Sequence, residues 1–214
     1  GVQTCALPIC GARRDLADAL AEGLGEHVAD LRRRLPDAVE LVVQVDEPVL
    51  AAVAAGRVPT ASGLHRHRSV DRPELSGTLQ RVLDAVAGAG AVPWVHACAA
   101  EVPWDLVRAA GARGLLLDPG LLRPADLDEV ASALEDGLTV GLGVLAAIDT
   151  GTAPSDTALV ERVRRLLDAL GFDALEVGDR LVLTSSCGLA GASSAWPRPA
   201  LRALVTAARA LDED

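Results

Sequence analysis

Five short apolar runs, each separated from the next by a helix-like stretch, constrain the fold of this chain more than any other feature. They begin near residues 41, 92, 114, 138 and 181, and they are rich in leucine and valine, as buried strands are. Between the runs, apolar residues recur at helical spacing, which predicts helices. Strands that alternate with helices favour parallel βαβ units, so we predict an α/β fold.

Polar or sulfur-bearing residues lie at the carboxyl ends of these predicted strands. The set comprises Asp46, Glu47, His96, Cys98, Asp118, Asp149 and Cys187. In a (β/α)8 barrel, the carboxyl ends of the strands form the active-site rim. A doubly wound sheet also binds ligands at strand ends, but the sequence contains no glycine-rich phosphate loop of the usual spacing. We therefore predict a TIM-barrel type of fold, with this chain an N-terminally truncated fragment that holds about five of the eight βα units.

The predicted domain organisation has two parts. Residues 1–11 show no periodicity and are interpreted as a non-native or disordered leader, and residues 12–214 as the C-terminal part of a single barrel domain. Within the second part, a helix is predicted over residues 12–35, with one apolar stripe. The stripe consists of Leu16, Leu20, Leu24, Leu31 and Leu35.

Charge and cysteine content exclude several classes of partner and compartment. The 214 residues include 30 Asp and Glu against 20 Lys and Arg, a net charge of −10, so no nucleic acid partner is expected. No apolar stretch reaches the roughly 20 residues that a membrane span requires, so no membrane partner is expected either. The four cysteines do not make a disulfide scaffold in a chain of this length, which favours a reducing cytoplasm.

One imidazole and two thiols are predicted to converge. His96 and Cys98 follow the run Val92 to Val95, and residues two apart on a strand project from the same face. Cys187 follows the last of the five apolar runs, the strand predicted near residue 181. One nitrogen and two sulfurs suit Zn²⁺, with the fourth tetrahedral position free for water or substrate. Ordinary buried cysteines in a core are the alternative.

Two further clusters have both a functional and a purely structural interpretation. Asp46 and Glu47 end a buried strand, where they either bind a ligand or form a solvated turn fixed by Pro48. The basic segment 62–68 contains two histidines and two arginines, which either meet an anionic group of a substrate or form a solvated loop.

Three linked motifs resemble one family. Gln44-Val45-Asp46-Glu47-Pro48, Val95-His96-Ala97-Cys98 and Cys187-Gly188-Leu189 resemble the Asp-Glu-Pro, His-x-Cys and Cys-Gly-Leu motifs of the C-terminal catalytic barrel of cobalamin-independent methionine synthase. The likeness covers about residues 36–211 and is greatest to the short, single-barrel actinobacterial-type members.

The resemblance implies a role for each strand-end residue. His96, Cys98 and Cys187 would be zinc ligands, and Asp46, with Glu47 beside it, would bind the amino group of homocysteine. Asp118 stands where the family has a glutamate ligand, so it would be a zinc ligand with a side chain one methylene shorter. Asp149 lies near the place of a histidine that helps proton transfer, and it would be catalytic.

The implied activity is zinc-dependent methyl transfer to the thiol of homocysteine, giving methionine. The methyl donor would be either a folate or a methyl-corrinoid protein, and nothing in the sequence decides between them. A related zinc methyltransferase for another thiol, a barrel of the uroporphyrinogen decarboxylase type, and an incomplete, inactive barrel fragment are the alternatives.

Overall fold

The computed structural model describes residues 6–37 and 40–213 as an alternation of helices and strands. The strands are β1 (Val42–Asp46), β2 (Val92–Ala97), β3 (Gly114–Leu117), β4 (Thr139–Leu145) and β5 (Leu181–Ser185). The α-helices in this part of the chain are α1 (Ala6–Arg34), α2 (Leu50–Ala54), α3 (Arg72–Gly88), α4 (Trp104–Ala109), α5 (Pro124–Glu135), α6 (Asp156–Leu170), α7 (Ala174–Val177) and α8 (Pro197–Asp212). None of the described helices has the length and apolarity that a membrane crossing needs.

The strands form one five-stranded sheet in the order β1-β2-β3-β4-β5. Strand β4 pairs in parallel with both β3 and β5, beginning with Gly114 opposite Thr139 and Val140 opposite Leu181. The register of β4 against β5 shifts between Gly143 and Leu145. The predicted α/β class is therefore confirmed, and each strand begins within one residue of its predicted start. Barrel closure stays a prediction.

The chain divides into two compact units, of which the second contains every predicted site residue. It comprises Asp46–Ala51, His96–Trp104 and Gly114–Asp214. Strand β3 is wholly buried, and β4 is buried after its first residue, as expected for parallel strands covered on both faces. Helix α6 packs on α8, and Leu159 and Val163 of α6 are completely buried.

Two glycines of β4 allow close packing inside this second unit. A Cβ on Gly141 would lie 2.7 Å from Cγ of Leu116. A Cβ on Gly143 would lie 2.6 Å from Cα of Ser186 and 2.9 Å from the carbonyl oxygen of Leu117. Because real Cβ contacts are longer than this, residue 143 has to be glycine for the backbone at Ser186 to approach β4 this closely.

The first unit comprises Gly1–Val45, Ala52–Val95 and Asp105–Arg113, and helix α1 packs there on α3. Val28 and Val86 are fully buried in its core, with Leu24 packed against them. Leu16 and Leu20 are 72% and 51% exposed, so the apolar stripe of the helix is only partly covered within the described residues. The predicted helix is therefore observed, and its pattern identifies an apolar face but not what covers that face.

Helix α1 also begins earlier than the sequence predicted. Its first residue is Ala6, so residues 6–11 of the predicted leader belong to the helix. Of these six residues only Ala6 and Leu7 are good helix formers, and Pro8 and Gly11 are poor ones, so the local sequence gave no helix signal. Residues 1–5 of that leader lie outside the described residues, and its interpretation as non-native stays a prediction.

The basic segment 62–68 lies in the first unit and forms an exposed turn. Pro59 and Arg66 pair in an isolated antiparallel bridge, and the backbone N–H of His67 donates to the carbonyl of Val58 at 2.8 Å. The contact of this segment with an anionic group remains untested.

Candidate metal centre

Strand β2 presents the histidine of the candidate centre at its carboxyl end. Burial alternates along β2, with Val95 and Ala97 buried and His96 half-buried between them, as expected for a strand whose successive side chains face opposite ways. The backbone N–H of Glu47 donates to the carbonyl of His96 at 2.8 Å. This bond ties the turn after β1 to the residue that carries the imidazole.

The turn after β5 presents the second thiol. The backbone N–H of Ser186 donates to the carbonyl of Leu145 at 2.8 Å, which extends the pairing of β5 with β4 by one residue. The Ser185 hydroxyl donates to the carbonyl of Cys187 at 2.7 Å and closes the turn. These two bonds, together with the close approach at Gly143, fix the backbone that carries Cys187.

The structure brings the three predicted metal ligands together. One ligand atom from each of His96, Cys98 and Cys187 lies within 4.8 Å of the other two, the one such cluster in the part of the chain that is described. The Cys98 thiol donates to Sγ of Cys187 at 3.1 Å. Both cysteines are free thiols. The cluster combines side chains from two strand ends that are about 90 residues apart in the chain.

Burial, reinforced by the hydrogen bond to Cys187, raises the pKa of the Cys98 thiol to about 11. The negative charge of Asp118 acts in the same direction. Cys98 is therefore a neutral thiol at neutral pH in the absence of a cation. A bound metal ion reverses this preference, because a coordinating thiol is deprotonated.

Polar contacts on both sides of the ring orient His96. Nδ1 lies 2.9 Å from Oδ1 of Asp46, and Nε2 lies 3.3 Å from the carbonyl oxygen of Ser186. The imidazole is 12% exposed and the Asp46 side chain 64% exposed. The Nε2 edge of the ring thus faces the segment that carries Cys187, and the Nδ1 edge faces a carboxylate.

The Glu47 side chain is half-buried beside this pair. Burial raises the pKa of the Glu47 carboxyl, and the neighbouring charge of Asp46 adds to the rise. Two carboxylates therefore lie at the end of β1, one exposed and one partly desolvated.

The other two predicted carboxylates accept backbone hydrogen bonds elsewhere in the unit. Oδ1 of Asp118 accepts from the backbone N–H of Gly120 at 2.8 Å, and Asp118 does not belong to the three-residue cluster. Asp149 accepts from the backbone N–H and the hydroxyl of Ser193 at 2.6 and 2.8 Å, and these bonds lower its pKa. In this arrangement Asp118 caps a turn and Asp149 holds the segment before α8. Their predicted roles as zinc ligand and catalytic residue stay predictions.

The donor set of the cluster fits zinc. Structural and catalytic zinc sites use cysteine sulfur and histidine nitrogen, and three protein ligands leave a position for a substrate. Ligating histidines usually donate their other ring N–H to a carboxylate, which is the arrangement of His96 and Asp46. The residues present could therefore hold Zn²⁺ through the imidazole of His96 and the sulfurs of Cys98 and Cys187.

A comparison with models of protein families assigns the chain to one family. Residues 9–210 match the model of the family described as "Cobalamin-independent synthase, Catalytic domain". The chain belongs to this family. Its membership confirms the resemblance drawn from the three motifs, and the family is one of methyltransferase-type enzymes. A comparison with curated proteins found no match.

A solved structure titled as that of an uncharacterized protein is similar to this family member at 12% sequence identity. The alignment covers 75% of this chain and 38% of the other chain, with a TM-score of 0.34. The chain thus spans less than half the length of that protein.

Sequence reasoning missed two features of the site in this synthase-family chain. The contact of Asp46 with His96 was not predicted, although both lie near the carboxyl ends of β1 and β2, which are consecutive in the sequence and adjacent in the sheet. The support that Gly143 gives to the Cys187 turn was missed as well. A glycine inside an apolar strand was the available signal, since such a glycine often marks a close backbone approach.

Proposed function

We propose that this chain binds Zn²⁺ through His96, Cys98 and Cys187 and serves methyl transfer to the thiol of homocysteine, giving methionine. The observation that supports the proposal is the cluster of one imidazole and two thiols within 4.8 Å, in a chain whose residues 9–210 match the cobalamin-independent synthase family. The methyl donor is proposed to be a folate or a methyl-corrinoid protein.

When bound, zinc would keep a coordinated substrate thiol deprotonated at neutral pH, which makes its sulfur nucleophilic. The protein's own part is to hold the two cysteine sulfurs and one imidazole nitrogen as ligands and to leave room for the substrate. In the overall reaction the homocysteine sulfur gains the methyl group and loses its proton, which passes to the demethylated donor or to solvent.

The carboxylates at the end of β1 are proposed to bind the ammonium group of homocysteine. Asp46 is 64% exposed, so a ligand can reach its carboxylate while Oδ1 accepts from His96. Glu47 is half-buried beside it. A cationic amino group near both carboxylates would reduce the repulsion that raises the pKa of Glu47.

The test of the proposed function has two arms. Metal analysis of the purified chain should give close to one zinc per chain, and Cys187→Ser should lose most of it while keeping the far-UV circular dichroism of the parent. A chain without zinc would contradict the proposal and leave the decarboxylase-type or inactive-fragment alternatives.

Methyl transfer is then assayed with homocysteine, with methyl-folate and methyl-corrinoid donors in separate reactions. Methionine formation that depends on zinc supports the proposal. Transfer to other thiols at an equal or greater rate would contradict homocysteine as the substrate. The same assay on the protein extended at its N-terminus separates a wrong assignment from an incomplete catalytic unit.

A further inference from the structure

We propose that Asp46 is a positioning residue for the metal centre: its carboxylate fixes the ring orientation and tautomer of His96, so that Nε2 is presented to the two cysteine sulfurs. This inference rests on the proposed function, because it assigns a role at the same zinc site. It adds to the proposed substrate-binding role of Asp46, since it gives the same carboxylate a second contact, with a metal ligand.

The first supporting observation is that two neighbouring residues hold His96 by separate groups. The side chain of Asp46 meets Nδ1 of the imidazole at 2.9 Å. The backbone N–H of Glu47 donates to the carbonyl of the same histidine at 2.8 Å. Main chain and side chain of His96 are thus both tied to the end of β1, which restricts translation of the backbone and rotation of the ring together.

The second observation concerns the proton on the ring. An ionised carboxylate only accepts hydrogen bonds, so the 2.9 Å contact with Asp46 requires a proton on Nδ1. The opposite contact, from Nε2 to the carbonyl of Ser186, is longer at 3.3 Å and involves a neutral acceptor. Charge-assisted hydrogen bonds are roughly twice as strong as neutral ones, so Nδ1–H is the favoured tautomer. Nε2 then carries a lone pair, as a metal ligand must.

The third observation is the direction in which the free nitrogen points. Nε2 faces the carbonyl of Ser186, the residue immediately before Cys187. Cys187 in turn is within 3.1 Å of Cys98, sulfur to sulfur. The contact with Asp46 therefore leaves the lone pair on Nε2, at the edge of the ring that faces the segment carrying Cys187. A carboxylate on the other ring nitrogen raises ligand basicity and fixes ring orientation at zinc sites in general.

The first test measures zinc affinity by competition with a chromophoric chelator. Asp46→Ala should weaken zinc binding by about 10- to 100-fold, the range found for loss of such partners. Asp46→Glu should recover part of this loss. Glu47→Gln is the matched control, because it removes one negative charge from the same turn; its zinc affinity should change by less than about threefold. Equal losses in Asp46→Ala and Glu47→Gln would overturn the inference in favour of a general charge effect.

A double-substitution cycle asks whether Asp46 acts through His96. In a His96→Gln background, Asp46→Ala should change zinc affinity by less than about twofold, because the group it orients is gone. The same loss in both backgrounds would overturn the inference, since Asp46 would then act on the metal directly or through another residue.

The tautomer is measured without metal or activity, by long-range ¹H–¹⁵N NMR of the imidazoles, with the His96 signals assigned by their loss in His96→Gln. The zinc-free parent should carry the proton on Nδ1, and Asp46→Ala should shift the population toward Nε2–H. A parent with Nε2–H would overturn the inference.

These readouts separate failure of the inference from failure of the proposed function. A parent that binds no zinc contradicts the proposed function, while the tautomer measurement still tests the contact of Asp46 with His96. A parent that binds zinc and methylates homocysteine, but whose Asp46→Ala variant raises only the KM for homocysteine, overturns the inference and leaves the substrate-binding role.

Discussion

Replacing Gly143 by alanine should disturb the metal centre from the neighbouring strand. The added Cβ would lie 2.6 Å from Cα of Ser186, 3.1 Å from its backbone nitrogen and 2.9 Å from the carbonyl oxygen of Leu117. Carbon atoms in contact normally lie about 3.5–4.0 Å apart, so the Ser186 backbone would have to move by about 1 Å. All three neighbouring atoms belong to backbone, so no side-chain rotation can relieve the overlap.

The displacement has two measurable consequences. Overpacking of this kind costs about 1–3 kcal/mol, which urea unfolding of the zinc-free protein would show as a lower midpoint. The movement also passes to Cys187, the next residue along the chain. Because ligand distances in zinc sites vary by only about 0.2 Å, we expect zinc affinity to fall about tenfold or more.

Gly77→Ala is the control. Gly77 lies inside helix α3, and nothing is within 4 Å of the position where its Cβ would be. Alanine there should leave zinc affinity unchanged and stabilise the helix by about 0.5–1 kcal/mol. If Gly143→Ala matches the parent in both urea midpoint and zinc affinity, the reasoning is refuted, because the backbone of Ser186 would then not lie within 3 Å of a Cβ at residue 143.

Three further predictions concern charge, redox state and the Asp149 contact. The Asp126 side chain, in the first turn of α5, is 6% exposed. The hydrogen bond from the guanidinium of Arg123, the N-cap residue of this helix, lowers the pKa of Asp126. Asp126→Asn should therefore cost about 1–2 kcal/mol near pH 7. A carboxyl whose folded-state pKa is lowered stabilises the fold above its unfolded pKa, so the difference from the parent should shrink as the pH falls below about 4, measured by urea unfolding across pH. In the zinc-free protein the sulfurs of Cys98 and Cys187 are 3.1 Å apart, so hydrogen peroxide should oxidise them to a disulfide. The peroxide takes up the two protons and two electrons of the thiols and is reduced to water. Peptide mass spectrometry should find that crosslink, and bound zinc should prevent it; separate sulfenic acids without a crosslink would contradict the geometry. Asp149→Ala should speed hydrogen exchange at the amide of Ser193, because that N–H loses its acceptor. A loss of methyl transfer with unchanged exchange would instead support the catalytic role.

The sequence predicted the strands well because of how parallel sheets are buried. Strand β3 is buried at all four positions, and a strand covered on both faces has to be a continuous apolar run. Such runs are easy to locate, and every strand starts within one residue of its predicted position, although β4 ends at Leu145, before the predicted Ile148. The pairing of His96 with Cys98 followed from the two-residue repeat of a strand, and Cys187 from the rule that parallel strands end at one edge.

Contacts that depend on tertiary arrangement were not predictable in the same way. The periodicity of helix α1 gave its apolar face, but the exposure of Leu16 and Leu20 depends on which elements lie opposite. Asp149 was predicted from its place at a strand end, whereas its hydrogen bonds depend on Ser193, 44 residues later. Local pattern therefore located the candidate site, and long-range packing decided which carboxylates accompany it.

The unit that contains the candidate site is assembled from three separate stretches of chain, Asp46–Ala51, His96–Trp104 and Gly114–Asp214. Contacts between residues so far apart form late and slowly during folding, since each closes a long loop. The thiols of residues 98 and 187 can share a cation only after those loops have closed. In a refolding experiment, metal uptake would therefore lag behind helix formation. The time course of metal binding would then report when the native topology is complete.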